Sequence, residues 1–120
     1  MRIQEKMLSP ELVNALLEFR RARDWEQFHT VRNVATALSV EAAEQLEHFV
    51  WSNDQQAPHI LEEHRAAILS EVADIAILLT YLTHDLSIDL QAAVSRKITV
   101  NERKYPLEKS HGSNRKYTDL

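Results

Sequence analysis

The sequence predicts an all-α fold, and three observations support that prediction. Only one glycine and three prolines occur in 120 residues, whereas folds rich in tight β-turns depend on glycine. Apolar residues recur at helical spacing along four separate segments. Residues typical of helix N-caps stand before two of these segments. Together they favour an antiparallel four-helix bundle in a single domain spanning residues 1–120.

The first two helices are delimited by capping and turn residues. Residues 9–11 supply an N-cap serine, a first-turn proline and an acid, and the apolar stripe that follows runs to about Ala22. A polar connection covers residues 24–30. The second helix is predicted over residues 31–51, because the turn residues of 52–58 come directly after it.

The third helix is predicted to begin near Ile60 or Glu62 and to end near His84. Its apolar residues cover more than one side, so it needs neighbours around most of its circumference. We therefore expect a dimer or a higher oligomer. The longest uninterrupted apolar run, Ile75 to Leu79, is too short for a membrane span, and no membrane association is expected.

The fourth helix is predicted to begin after an N-cap at Ser87 or Asp89 and to end near Lys104, and residues 107–120 are predicted to form a polar tail. Seven of the 14 basic residues lie in the last 25 positions of the chain. The net charge of −4 argues against a nucleic-acid polymer as partner, while the local basic cluster favours a site for a small anion.

Composition excludes several kinds of site. The chain has no cysteine, which excludes disulfides, thiolate zinc sites and a cysteine nucleophile. A single glycine excludes the glycine-rich phosphate-binding loops. Residues 1–6 lack the apolar segment of a secretory signal, and the sequence predicts a cytoplasmic protein.

Acidic residues continue the inward face of the second helix. Val34, Ala37 and Leu38 define that face. Glu41 follows Val34 by seven residues, and Glu44 follows Ala37 by seven. Both carboxylates are therefore predicted to point inward.

The third helix repeats this arrangement. Glu71 comes three residues after Ile68, and Asp74 comes four residues before Leu78. Buried carboxylates repel one another unless protons, basic groups or cations compensate. An oxygen-only set, with no histidine recognised on the same faces, suits Mg²⁺ or Mn²⁺. The alternative is that these acids are solvated, as glutamate pairs three apart commonly are on helix surfaces.

The fourth helix places a cation and an amide on one predicted face. Lys97 follows Val94 by three residues and Leu90 by seven, and Asn101 follows Lys97 by four. We expect this face to point toward the acidic cluster, since metal ions and cationic side chains together bind polyphosphate. A salt bridge to a neighbouring acid is the alternative for Lys97.

These motifs resemble a known family. An E-x-x-E motif at Glu41 and Glu44, followed after a helix-loop-helix interval by E-x-x-D at Glu71 and Asp74, resembles the all-α nucleoside triphosphate pyrophosphohydrolases, the MazG-like group. Residues that resemble the dCTP pyrophosphatase branch occupy positions 23–29, 32–33, 49–51, 97, 101–106 and 113–118. The resemblance implies a Mg²⁺-dependent enzyme that hydrolyses a (deoxy)nucleoside triphosphate to the monophosphate and pyrophosphate. It also implies a homodimer or a homotetramer.

The resemblance also implies a role for each matching residue. Glu41, Glu44, Glu71 and Asp74 would bind the metal, and one of them would orient or deprotonate the attacking water. The residues implied in substrate binding are Trp25, His29 and Trp51 around the base and sugar, with Lys97, Asn101, Arg103, Tyr105, Arg115, Lys116 and Tyr117 toward the phosphates. Leu16 and Leu78 stand where dCTP-specific relatives carry histidine and tyrosine, which leaves the preferred base open.

Two other functions are compatible with parts of the sequence. One is a non-catalytic helical module that dimerises or binds nucleotide without turnover. The other is an HD-domain phosphohydrolase, since His48, His84-Asp85 and Asp119 occur in the required order. We interpret His48 as lying on a different face from the acids of its helix, which argues against the HD-domain hypothesis.

Overall fold

The structure, a computed structural model, describes residues 7–120, and all its regular elements there are helical. The all-α prediction is confirmed. The described residues divide into two compact units, residues 7–87 and residues 88–120. The expectation about a secretory signal depended on residues 1–6, which lie outside the described residues.

The first unit contains four helices. They are α1 (Pro10–Ala22), α2 (Val31–Glu47), α3 (Ala57–Glu63) and α4 (Arg65–Asp85). Side-chain oxygens cap the first two: the Ser9 hydroxyl accepts from the Leu12 amide at 3.2 Å, and the Thr30 hydroxyl accepts from the Asn33 amide at 3.1 Å. Such caps satisfy amides that have no partner within the helix, so they fix where each helix begins.

Two sequence-based boundaries are wrong. Helix α2 ends at Glu47 instead of Trp51, and residues 48–51 form a turn in which the Phe49 amide donates to the Leu46 carbonyl. The predicted third helix is two helices, because Pro58 starts α3 early and His64 interrupts the helical path. His64 has φ −103° and ψ 16°, outside the α-helical range.

Helix α4 is the centre of the first unit. It runs antiparallel to α2, since Gln45 contacts the Ile68 carbonyl while His48, directly after α2, contacts the earlier His64. It runs parallel to α1, since the Tyr81 hydroxyl donates to the Leu16 carbonyl at 3.0 Å and Arg20 pairs with Asp85 four residues later on each helix. By length and composition α4 could cross a membrane, a property that core helices of soluble proteins share.

The second unit contains α5 (Leu90–Lys104), the short α6 (Leu107–Ser110) and a 3₁₀ turn over Tyr117–Asp119. Asp89 is the N-cap of α5, and its carboxylate accepts from the Ala92 amide at 3.1 Å. The Tyr105 and Tyr117 rings meet edge to face with centroids 6.0 Å apart. This contact joins the end of α5 to the segment predicted as a polar tail, which therefore has structure of its own.

Candidate active site

The acids of α2 lie on the side of the helix that the sequence predicted. Val34 is buried, and Glu41 and Glu44 are half-buried, whereas Ala42 and Ala43 between them are exposed. The glutamates therefore continue the face that begins at Val34, as a helical repeat of seven residues requires.

The acids of α4 occupy the facing helix. Glu71 and Asp74 are half-buried, while Val72 and Ala73 are exposed. The Gln45 amide group donates to the Ile68 carbonyl at 2.9 Å and links α2 to α4 one turn before Glu71. The structure thus brings the E-x-x-E and E-x-x-D motifs together between two antiparallel helices.

Electrostatic strain in this group is concentrated on Glu41. Burial raises the pKa of Glu41, and the neighbouring charges of Glu44, Asp74 and Glu71 raise the pKa further. One oxygen of Glu41, Oε2, is buried and has no hydrogen-bond partner. A buried acceptor without a partner costs free energy, so the four carboxylates need a proton or a cation.

The donor set fits a hard divalent cation. All four side chains offer carboxylate oxygens, which Mg²⁺ and Mn²⁺ prefer, and the unpartnered Glu41 Oε2 is an available ligand atom. Across residues 7–120, no three histidine, aspartate or glutamate side chains are already arranged around a common ion position. The carboxylates are neighbours, and their side chains would have to rotate to coordinate one ion together.

Histidine also reaches this group, contrary to the sequence interpretation. His48 Nε2 lies 2.8 Å from Glu71 Oε1, and His48 Nδ1 lies 2.9 Å from His64 Nδ1. The interpretation that His48 lies on a different face from the acids is wrong. The signal was present in the sequence, because His48 follows Glu44 by four residues and Glu41 by seven.

Trp25 and His29 lie together at the α1–α2 connection. Trp25 packs edge to face on Phe19 with ring centroids 5.7 Å apart, and its centroid is 6.2 Å from that of His29. The His29 ring is 5.2 Å from Tyr81, and its Nδ1 is buried without a partner. Burial, and then the charge of Arg20, lower the pKa of His29, which favours its neutral form.

An ion pair beneath these rings was missed by the sequence analysis. Both terminal nitrogens of Arg20 donate to Asp85 at 2.8 Å, and the guanidinium lies 4.6 Å from the centre of the Tyr81 ring. The Arg20 side chain is 5% exposed and that of Asp85 is 28% exposed. The hydrogen bonds from Arg20 hold the pKa of Asp85 below its ordinary value. Arg20 follows Leu16 by four residues, so its inward position could have been found.

Trp51 is the third residue predicted to contact the base and sugar. It is 96% exposed in the turn that follows α2, so it contacts almost nothing within its own unit. Its predicted place in a base and sugar pocket stays a prediction.

The predicted phosphate-binding residues all belong to the second unit. Lys97 and Asn101 are exposed on α5, and Val94, predicted to face inward with them, is also exposed. Arg115 and Lys116 are exposed before the 3₁₀ turn. Their approach to the carboxylates stays a prediction.

Basic side chains do converge within the second unit. An open cavity of about 360 Å³ is lined by Arg103, Lys104, Pro106, Lys109, Tyr117 and Leu120. The ammonium group of Lys104 lies 4.8 Å from the centre of the Tyr117 ring. Two of the predicted substrate residues, Arg103 and Tyr117, therefore share one positively charged cavity.

Several known proteins are similar to this chain in sequence or in structure. The chain is 44% identical to dCTP pyrophosphatase 1 of Bos taurus and 41% identical to dCTP pyrophosphatase 1 of Homo sapiens. Each alignment extends over 105 residues, which is 86% of this chain. It spans 62% of the length of these relatives. A crystal structure of a pyrophosphatase from Archaeoglobus fulgidus is similar, with a TM-score of 0.78 and 37% identity over 88% of this chain and 99% of that one.

The family assignment comes from a match that contains the carboxylate motifs. The model of the MazG-like family matches residues 36–120, which include Glu41, Glu44, Glu71 and Asp74. Together with the relatives and the all-helical fold, this match shows that the chain belongs to the MazG-like family.

Proposed function

We propose that this protein is a Mg²⁺-dependent nucleotide pyrophosphohydrolase, with Mn²⁺ as an alternative ion. It hydrolyses a (deoxy)nucleoside triphosphate to the monophosphate and pyrophosphate. The observation that carries the proposal is the meeting of four carboxylates between α2 and α4, with Glu41 Oε2 buried and unpartnered. The matched relatives in Bos taurus and Homo sapiens are named dCTP pyrophosphatases.

The four carboxylates have two roles in the proposed reaction. Glu41, Glu44, Glu71 and Asp74 would hold the divalent cation. A cation held there would supply positive charge to the phosphate oxygens and would make a nearby water more acidic. One of the four carboxylates accepts a proton from the attacking water, whose oxygen forms a bond to the α-phosphorus as the bond to the β-phosphate oxygen breaks. Pyrophosphate is the leaving group.

Substrate contacts are assigned to individual residues. Trp25 and His29 supply flat rings against which a base can stack. The positively charged residues of 96–120 supply the countercharge for a triphosphate, and we assign phosphate contacts to Lys97, Asn101, Arg103, Tyr105, Arg115, Lys116 and Tyr117. Trp51 is assigned to the base and sugar. No base is assigned, because Leu16 and Leu78 replace the histidine and tyrosine of dCTP-specific relatives.

We further propose that the working form is a homodimer or homotetramer in the cytoplasm. Large apolar side chains are exposed on both helices that carry the acids, including Val40 and Leu46 on α2 and Leu69 and Val72 on α4. Exposed apolar patches of this kind favour association, and a second copy of the chain offers a matching surface.

The test is product analysis over a panel of canonical and modified nucleoside triphosphates, each with and without Mg²⁺. We expect monophosphate and pyrophosphate, formed only when the divalent cation is present, with the fastest substrate identifying the preferred base. A chelator added in excess should stop the reaction, and fresh Mg²⁺ should restore it.

Other products would contradict the proposal in different ways. Diphosphate and orthophosphate would show attack at the γ-phosphate instead of the α-phosphate. Equal rates with and without the cation would overturn the metal assignment. No turnover with any nucleotide would favour a non-catalytic nucleotide-binding or dimerisation module.

A further inference from the structure

A chain of hydrogen bonds links α3–α4 to the carboxylate group through two histidines. His48 Nδ1 lies 2.9 Å from His64 Nδ1, and His48 Nε2 lies 2.8 Å from Glu71 Oε1. The side chains of His48 and Glu71 are 13% and 16% exposed, so water has little access to the bond between them. Both ring nitrogens of His48 are therefore engaged.

The direction of these hydrogen bonds follows from the chemistry of the groups. An ionised carboxylate only accepts, so His48 Nε2 carries a proton and donates to Glu71. Two ring nitrogens 2.9 Å apart require one proton between them. The donation to Glu71 persists whichever of the two histidines supplies that proton, since Nε2 is protonated in either case.

This donation opposes the charge repulsion within the cluster. Glu71 is one of the charges that raise the pKa of Glu41, so without a donor it would gain by rotating away from its neighbours toward water. The bond to His48 uses Oε1 and leaves the second oxygen of Glu71 for a ligand. Partners of this kind orient metal-binding carboxylates and affect metal affinity.

We propose that His48 is a positioning residue that holds the Glu71 carboxylate in place for the divalent cation, with His64 fixing the orientation of the His48 ring. This inference rests on the proposed function, because it takes Glu71 as a metal ligand. It adds a histidine pair to a site that the sequence predicted to contain only oxygen donors.

Amide side chains provide a matched set of variants. Glutamine can place its amide nitrogen near the position of the histidine Nε2, whereas asparagine reaches only the position of Nδ1. His48→Gln therefore keeps the hydrogen bond to Glu71, and His48→Asn keeps only the hydrogen bond to His64. His48→Leu removes both bonds. If His48 acted only by packing, the glutamine variant would bind the cation no better than the asparagine and leucine variants.

The measurement is equilibrium binding of Mn²⁺ alone, followed by the electron paramagnetic resonance signal of the free ion. We expect His48→Asn and His48→Leu to weaken Mn²⁺ binding by about 10- to 100-fold, and His48→Gln to recover most of that loss. His64→Leu should cause a smaller loss. His84→Leu is the control, since His84 is exposed near the other end of α4, thirteen residues after Glu71.

The outcomes separate this inference from the proposed function. If the native protein binds Mn²⁺ and hydrolyses nucleotides while all three His48 variants bind like the native protein, only the positioning role is overturned. If the expected order of affinities appears without turnover of any nucleotide, the positioning role is supported and the proposed activity is overturned. If the native protein and Glu71→Gln bind Mn²⁺ equally, both the metal centre and the positioning role are overturned.

Discussion

At the scale of single residues, Glu41 shows how the fold creates a need for a ligand. Its helix places it seven residues after the buried Val34, so its carboxylate loses hydration. Three further acids raise its pKa, and one of its oxygens has no partner. A chain without a cation to bind would gain stability by replacing such a group. We therefore interpret the unfavourable burial of Glu41 as stability that the fold gives up in order to bind a cation.

Neutral amides in place of these acids should separate function from folding. We expect Glu41→Gln and Asp74→Asn to lower kcat by at least about 100-fold, because each removes a ligand charge while keeping side-chain volume. Without metal, the melting temperature of Glu41→Gln should not fall, since the substitution removes charge repulsion. Glu47→Gln, on an exposed position of the same helix, is the control and should retain activity. Undiminished hydrolysis by Glu41→Gln would contradict the metal assignment.

The Arg20–Asp85 pair leads to a prediction about stability and pH. Removing one partner of a buried pair costs about 3–5 kcal/mol, and the partial exposure of Asp85 reduces this, so we expect Asp85→Asn to lower the free energy of unfolding by about 2 kcal/mol at pH 7. The pKa of Asp85 is lowered by folding, so its contribution is present above the ordinary aspartate pKa and is lost as the pH falls through the lower folded value.

Urea unfolding of native protein and Asp85→Asn, repeated from pH 7 into the acid range, checks this prediction. The difference between the two proteins should shrink below about pH 4. Glu18→Gln is the matched control, because the Glu18–Arg21 pair is exposed and should contribute less than about 1 kcal/mol. A difference that stays constant with pH would show that the charge on Asp85 does not stabilise the fold.

At the scale of helices, local patterns predicted some features and tertiary contacts decided others. The start of α1 follows from its serine cap and first-turn proline, and the end of α5 follows from Pro106; the structure agrees with both. The break at His64 carries no glycine or proline signal, and there the ring bonds to His48, sixteen residues earlier in the chain. Arg20 and Asp85 are 65 residues apart, so no local pattern could pair them, although the spacing from Leu16 indicated an inward position for Arg20.

The cap of α2 matters because that helix carries Glu41 and Glu44. The Thr30 hydroxyl accepts from the Asn33 amide, and the Asn33 side chain donates to the Phe28 carbonyl at 2.9 Å. We expect Thr30→Ala to lower the free energy of unfolding by about 1 kcal/mol, and Thr30→Ser to restore most of it. Thr36→Ala, an exposed interior position of the same helix, is the control in urea unfolding. Equal losses at the two positions would show that the cap has no special role.

At the scale of the whole molecule, the helices that hold the acids are incompletely covered by the chain itself. Among residues 7–120, Val34 and Tyr81 are the only apolar side chains that are almost fully buried. Leu69 and Val72 lie three residues apart on one face of α4 and are each about half exposed. The broadly apolar sequence of α4 predicted an oligomer, and in a single copy part of the apolar surface of this helix is exposed.

Self-association should be broken by charge on that face. We expect the native protein to sediment as a dimer or tetramer, and Leu69→Glu or Val72→Glu to shift it toward the monomer, because burying a glutamate against a second apolar surface is costly. Gln55→Glu, in the exposed turn after α2, adds the same charge elsewhere and should leave the sedimentation coefficient unchanged. The melting temperature of the native protein should rise with its concentration, since association stabilises only the folded chain. A native protein that sediments as a monomer over the whole concentration range would show that this face needs no second copy.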